Sequence, residues 1–139
     1  MLYAGSGNVS GGTGTLTIGL TDTDFFPGGV GYLNFNIGGT TSGTISAKAY
    51  MDAGNAEFGE STLLGSMTSS NAAFSHTSED TIINPSSPYS LTLITTVTHT
   101  GAGQITSFDA NVVPEPSMLA LMSLGFVGLG FAGRRKQAV

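Results

Sequence analysis

The chain of 139 residues has no cysteine and no tryptophan, and only 9% of its residues are charged. Without cysteine the fold owes nothing to disulfides or thiolate metal sites, and redox usage says nothing about compartment. Bases are scarcer still. Lys48 is the sole Lys or Arg before Arg134, against the acids Asp22, Asp24, Asp52, Glu57, Glu60, Glu79, Asp80, Asp109 and Glu115. With no basic face to neutralise phosphates, this part of the chain is a poor partner for nucleic acid or anionic lipid. Its surface must be covered by Thr, Ser, Asn and Gly instead.

The motifs of familiar chemistry are also missing. There is no Gly-rich phosphate loop ending in Lys-Ser/Thr, no Gly-x-Ser-x-Gly elbow and no His-Glu-x-x-His pair. His76 and His99 are the only histidines. His99 falls on an apolar strand face, where a hydrogen-bonded structural role is expected rather than base catalysis. His76 precedes Thr77, Ser78, Glu79 and Asp80, so a His–carboxylate pair can be drawn there. Glycoside hydrolysis needs two acids across a sugar-sized cleft, and the sequence does not select a pair. No cofactor is expected. Calcium is the one metal that the oxygen-bearing turns at Asp22-x-Asp24, and separately at Asp52, Asn55 and Glu57, would suit. Neither turn has the spacing of a calcium loop with its closing Glu, and turn formers on a solvated acidic rim account for both. Asn8-Val9-Ser10 fits a glycosylation sequon.

What is present is period-two alternation. Leu16, Ile18 and Leu20 alternate with Thr17 and Gly19; Leu33, Phe35 and Ile37 with Asn34 and Asn36; Ile45, Ala47 and Ala49 with Ser46, Lys48 and Tyr50. Each set predicts a strand with one inward and one outward face. Thr62 to Thr68, with Leu64 inward, and Ala72 to Thr77 predict two more. Tyr89 to Thr100 and Gln104 to Val112 carry the clearest pattern, with Leu91, Leu93, Thr95, Val97 and His99 on one face, and Thr106, Phe108, Ala110 and Val112 in step. Gly101-Ala102-Gly103 between them supplies a permissive turn and predicts a β-hairpin. Phe58 is expected to plug a loop. About seven short strands broken by Gly, Asn, Asp and Pro predict an all-β, antiparallel β-sandwich over residues 1–112.

Residues 113–139 are different in kind. Pro114 and Pro116 flank Glu115, and two fixed φ angles with no N–H predict a stiff exposed spacer through which no ladder continues. The apolar run from Met118 to Ala132 would make a helix of roughly 22 Å at 1.5 Å per residue, against a bilayer core of about 30 Å. Extending it through Gly133, with Arg134 and Arg135 snorkelling into the headgroups, closes part of the gap and predicts a C-terminal transmembrane helix. The basic stop Arg134, Arg135 and Lys136 places the C-terminus on the cytoplasmic side and the β-domain outside it.

Pro114-Glu115-Pro116, the Leu/Gly/Phe-rich run and the Arg134-Arg135-Lys136 stop, in that order, resemble the carboxy-terminal sorting signal of PEP-CTERM proteins, secreted proteins of Gram-negative bacteria. The resemblance covers about the last fifth of the chain. It implies recognition by an exosortase, a membrane-embedded transpeptidase-like protease, transient anchoring in the inner membrane through Met118 to Gly133, and delivery to the cell envelope or beyond. It also implies an association with exopolysaccharide and biofilm. The preceding segment, PYSLTLITTVTHTGAGQITSFDANVV, resembles the closing hairpin that precedes such tails. An exported protein should begin with a basic and then an apolar leader, and Met1-Leu2-Tyr3-Ala4-Gly5-Ser6 does not, so a leader absent from this stretch is expected.

Together these features predict an exported, non-enzymatic surface or extracellular-matrix protein acting by adhesion, structure or glycan association. The alternative is a small carbohydrate-active or other hydrolase using acidic residues or His76. For sugar stacking the candidate rings are Tyr3, Tyr32, Tyr50 and Tyr89, of which Tyr32 and Tyr50 fall on predicted polar faces.

Overall fold

The computed structural model describes residues 2–26, 31–78, 81–83, 85 and 87–115, with the backbone alone described at 2–6, 81–83, 114 and 115. Nine strands follow one another: β1 (Leu2–Gly11), β2 (Gly14–Phe25), β3 (Gly31–Thr41), β4 (Thr44–Asp52), β5 (Thr62–Ser69), β6 (Ala73–Thr77), β7 (Thr81–Ile83), β8 (Tyr89–His99) and β9 (Gln104–Glu115). They form two antiparallel sheets, one in the order β1-β9-β3-β6 with β7 also on β3, the other in the order β2-β8-β4-β5.

The two orders correspond strand for strand. β1 and β2, β9 and β8, β3 and β4, and β6 and β5 are each consecutive in the chain and occupy matching places in the two sheets. Each pair is therefore an arch: one strand in each sheet, joined across the layer by a short bend at 12–13, 100–103, 42–43 or 70–72. The registers Gly11↔Gln104, Thr41↔Thr106 and Thr40↔Ala73 in one sheet, and Gly14↔His99, Thr44↔Thr98 and Ile45↔Ser69 in the other, bring all four bends to the same end of the sandwich.

The predicted hairpin between Tyr89 and Val112 is thus corrected. β8 pairs with β2 and β4, and β9 with β1 and β3. Periodicity could not separate the two outcomes. A hairpin would set Leu91, Leu93, Val97, Phe108, Ala110 and Val112 side by side on one sheet face; the arch sets the same residues against each other across the core. All six are buried. What decides is that each strand has a better antiparallel partner elsewhere, and facing two apolar rows removes more surface from water than lining up one.

The seven predicted strands are present, and β1 and β7 are additional. β1 escaped notice because Gly5, Ser6, Gly7, Asn8 and Ser10 leave almost no apolar alternation. β7 completes the edge that β6 leaves unfinished along β3. Between the two, Ser78 splices the ladder: its N–H donates to Phe35 O at 2.8 Å and its Oγ accepts from Phe35 N at 2.9 Å.

The core lies between the two central arches. Leu33, Phe35, Ile45, Ala49, Leu91, Leu93, Ala110 and Val112 are essentially inaccessible. On β2 the expectation fails in part, since Leu16 and Ile18 remain 45% and 38% exposed. Opposite them β1 turns Gly7 and Val9 to the interior side, and on these two strands Val9, Leu20 and Phe25 pack partly against the core. The predicted break at the first proline is also corrected. β9 runs on through Pro114, opposite Leu33, to Glu115, opposite Tyr32. Proline's fixed φ suits extended backbone. The described pairing of β1 with β9 reaches Leu2↔Val112, and among the described residues Pro114 is paired with β3 alone, where a residue without an N–H can be admitted. Pro116 and the predicted helix from Met118 to Gly133 lie outside the described residues.

Candidate functional site

On β3 the buried residues Leu33, Phe35 and Ile37 turn Tyr32, Asn34, Asn36 and Gly38 to the outer face of the sheet, because side chains alternate along a strand. β9 does the same with Ser107, Asp109 and Asn111, between buried Thr106, Phe108, Ala110 and Val112. The register sets Asn36 between Asn111 and Thr77, and Gly38 between Asp109 and Ser75. These six residues line a shallow groove of about 300 Å³. Asn36 Nδ2 donates to Asn111 Oδ1 at 3.2 Å across its floor.

Glycine at position 38 is what makes this a depression. A Cβ there would meet nothing closer than Phe74 O at 3.6 Å, an ordinary contact, so neither packing nor backbone demands glycine. Its neighbour Gly39 is different: a Cβ there would stand 2.1 Å from Ser107 O and 2.8 Å from Phe108 Cα. Gly39 lets β3 and β9 approach; Gly38 leaves room outside. Tyr32, 43% exposed, stands at the far end of the same outward row.

The outer face of the second sheet is hydroxyl-rich rather than amide-rich. Thr15 pairs with Thr98 and Thr17 with Thr96 through 3.1 Å contacts between hydroxyls. One end of this face is covered by residues 53–61. Ser90 Oγ donates to Ala56 O at 2.7 Å and Phe58 N donates to Thr21 Oγ1 at 3.1 Å, which accounts for the burial of the outward-facing Ser90 and Thr92. Phe58 does not plug this loop from beneath. It is 54% exposed and lies over Gly19, with Cε1 3.0 Å from where a Cβ on that glycine would stand. Tyr50 is half-buried on the same side.

The two oxygen-rich turns come together here. Asp24 N donates to Asn55 Oδ1 at 2.8 Å, and Asn55 Nδ2 donates to Asp24 Oδ1 at 2.7 Å. Both residues have left-handed φ, 62° and 56°, which Asp and Asn tolerate better than most side chains. Their polar atoms clasp the loop to the end of β2. Asp52 accepts from Ala56 N at 3.0 Å. Hydrogen bonding from Ser61, then from Ala56, holds its carboxyl below the ordinary value of 3.8. Among the described residues no three His, Asp or Glu side chains group as metal ligands would.

His99 is buried at the arch end, its Nε2 3.0 Å from Thr106 Oγ1, which in turn lies 2.7 Å from Thr41 Oγ1. It is a structural histidine that ties the bend of one arch to its neighbour. His76 turns toward the interior side of β6, its ring centroid 6.0 Å from that of Phe35. Its drawn partners Glu79 and Asp80 lie outside the described residues. Tyr89 is buried and stacked on Phe25 at 5.6 Å, and burial raises its hydroxyl above the usual 10.0. It is no sugar platform. Of Tyr3 only the backbone is described, opposite Asn111. Asp109, Asn111, Ser75 and Thr77 were missed as a set because nothing in the sequence says that β3 runs between β9 and β6.

The described residues form an all-β, antiparallel two-sheet domain whose last strand runs to Glu115. Residues 112–136 match the family profile of the PEP-CTERM protein-sorting motif, and the chain carries a PEP-CTERM sorting domain. No curated protein matches the chain significantly. Among solved structures, a Paenibacillus sp. cycloisomaltooligosaccharide glucanotransferase, complexed with cycloisomaltoheptaose, matches at 12% identity with a TM-score of 0.31. That match covers 80% of this chain, which spans only 17% of the enzyme chain. A likeness of that degree supports no argument about activity.

Proposed function

We propose that the protein is an exported, non-enzymatic component of the cell surface or extracellular matrix, sorted by an exosortase through its C-terminal tail and associated there with exopolysaccharide. The observation that carries the reading is the sorting-motif match at residues 112–136, adjoining a β-domain whose last strand pairs with β3 up to Glu115. Pro114, Glu115 and Pro116 are the recognition motif, Met118 to Gly133 the transient membrane segment, and Arg134, Arg135 and Lys136 the cytoplasmic stop. The division at residue 112 separates the delivered domain from the signal. A matrix role is supported by the amide- and hydroxyl-rich outer faces of both sheets, on which charges such as Asp109 and Lys48 are few. Hydrolysis of a glycan would need a second carboxylate facing the first, and Asp109 is the single acid among the described residues that line the groove.

The test is the intact mass of the chain, expressed with a signal peptide in a host with an exosortase and in the same host without it. The expected result is loss of the segment beyond the Pro-Glu-Pro motif only where the enzyme is present. A full-length chain retained in the inner membrane of both hosts would make the tail an ordinary anchor and overturn the reading.

A further inference from the structure

We infer that the outer face of the β1-β9-β3-β6 sheet is a binding site for a neutral polysaccharide laid along β3, with Gly38 as its floor and Asn36, Asn111 and Asp109 as its hydrogen-bonding wall. The inference rests on the exopolysaccharide association proposed above and names the place and the kind of glycan.

Three observations converge on this face. The groove of about 300 Å³ is lined by the amides of Asn36 and Asn111, the hydroxyls of Ser75 and Thr77 and the carboxylate of Asp109, beside Ile37, Gly38 and His76. These groups present donors and acceptors side by side, as adjacent sugar hydroxyls require. The Asn36–Asn111 bond uses one donor and one acceptor, leaving Asn111 Nδ2 and Asn36 Oδ1 for a ligand while fixing both side chains in advance. Gly38 then supplies space where no structural need for glycine exists. A side chain of any ordinary size would fill the depression.

The shape favours a chain over a single sugar. Tyr32, Asn34, Asn36 and Gly38 share one outward row, and six residues of strand span roughly 20 Å. That is long enough for several linked rings, with the exposed Tyr32 offering an apolar ring face to the C–H face of one of them. A peptide is a poorer occupant. β3 is already paired on both sides, so its backbone has no ladder to offer an added strand. Charge chooses among glycans. The lining carries the carboxylate of Asp109 and no Lys or Arg; its one imidazole, His76, turns toward the interior side, and Lys48, the only Lys or Arg among the described residues, lies on β4 in the other sheet. A uronate-rich chain would bring its carboxylates beside Asp109 with no Lys or Arg of the lining to receive them.

The full chain in mild detergent, run in native gels containing hydroxyethylcellulose, galactomannan, dextran or alginate, tests this directly. Retardation by at least one of the three neutral polymers and none by alginate is expected. Gly38→Val and Asn111→Ala should each weaken the retardation by about tenfold or more, a difference of one decade in Kd, with an unchanged melting transition. Tyr50→Ala on the opposite sheet should leave it intact. If the parent is retarded and both groove variants are retarded equally, glycan association stands and this site is wrong. If no neutral polymer retards the parent, or alginate retards it as strongly, the inference is overturned together with the glycan part of the proposed function, while tail processing is judged separately by mass.

Discussion

The two inner arches and the outermost one are built on the same plan but held by different forces. In β3–β4 and β8–β9 the inward rows are Leu, Ile, Phe and Val, nearly all inaccessible. In β1–β2 near the bend, the described inward residues of one strand are Gly7 and Val9, and those of the other, Leu16 and Ile18, stay half in water. Yet β1 and β2 are as fully laddered to β9 and β8 as the inner strands are to each other. Backbone pairing and hydroxyl pairs such as Thr15–Thr98 suffice to place a strand that contributes little to the core. Pairing and packing are separable contributions, and the flank shows the first almost without the second.

The contrast is broken most sharply by truncating one apolar residue on each side of it. Phe35, fully buried on β3, should cost about 3–5 kcal/mol as Phe35→Ala, from lost transfer energy plus the cavity left behind. Leu16→Ala on β2 should cost under about 1 kcal/mol, since so much of Leu16 is already in water. Denaturant midpoints at constant m-value measure both. Equal losses would show that the flank is packed after all. An intermediate effect is expected at the arch end, where Thr106→Val removes the partner of both His99 Nε2 and Thr41 Oγ1 in a buried setting. Leaving His99 Nε2 without its partner, and Thr41 Oγ1 with the Gly43 N–H alone, should cost about 1–3 kcal/mol. Thr15→Val, which removes an exposed hydroxyl pair from the flank, should stay within about 0.5 kcal/mol.

The same contrast marks what could be read from the sequence. The inner strands announced themselves because burial on one face forces alternation: Leu33-x-Phe35-x-Ile37 and Phe108-x-Ala110-x-Val112 admit no other reading. β1 could not, since from Gly5 to Ser10 Val9 is the one apolar side chain. The sheet to which a strand belongs was equally hidden, because Leu91 and Val112 face inward whether β8 and β9 form a hairpin or an arch. This is why Asn36 could be placed on an outward face while its neighbours Asn111 and Asp109 could not be assigned to it. The Pro-Glu-Pro motif was legible as a motif. That Pro114 still belongs to a strand was not, since a proline is tolerated in a strand wherever its missing N–H is not needed by a neighbour, and the sequence does not say which neighbour β9 has there.

The smallest effect concerns the loop that covers one end of the hydroxyl face. Asp52 is half-buried at the end of β4, and hydrogen bonding from Ser61 and Ala56 lowers its carboxyl pKa below 3.8 in the folded chain. A lowered folded value means that the unfolded chain takes up the proton first as pH falls. The stabilisation from Asp52 is therefore complete above the ordinary carboxylate value of 3.8 and is lost as pH drops through the lower folded value. Because the group is solvated, the effect is small, and Asp52→Asn should lower the melting temperature slightly at pH 6 and not at all well below pH 3. A deficit that persists unchanged into strong acid would assign the role of Asp52 to its shape rather than its charge. Residues 53–61 would then be held chiefly by the Asp24–Asn55 clasp and by Ser90 on Ala56 O, neither of which requires an ionised Asp52.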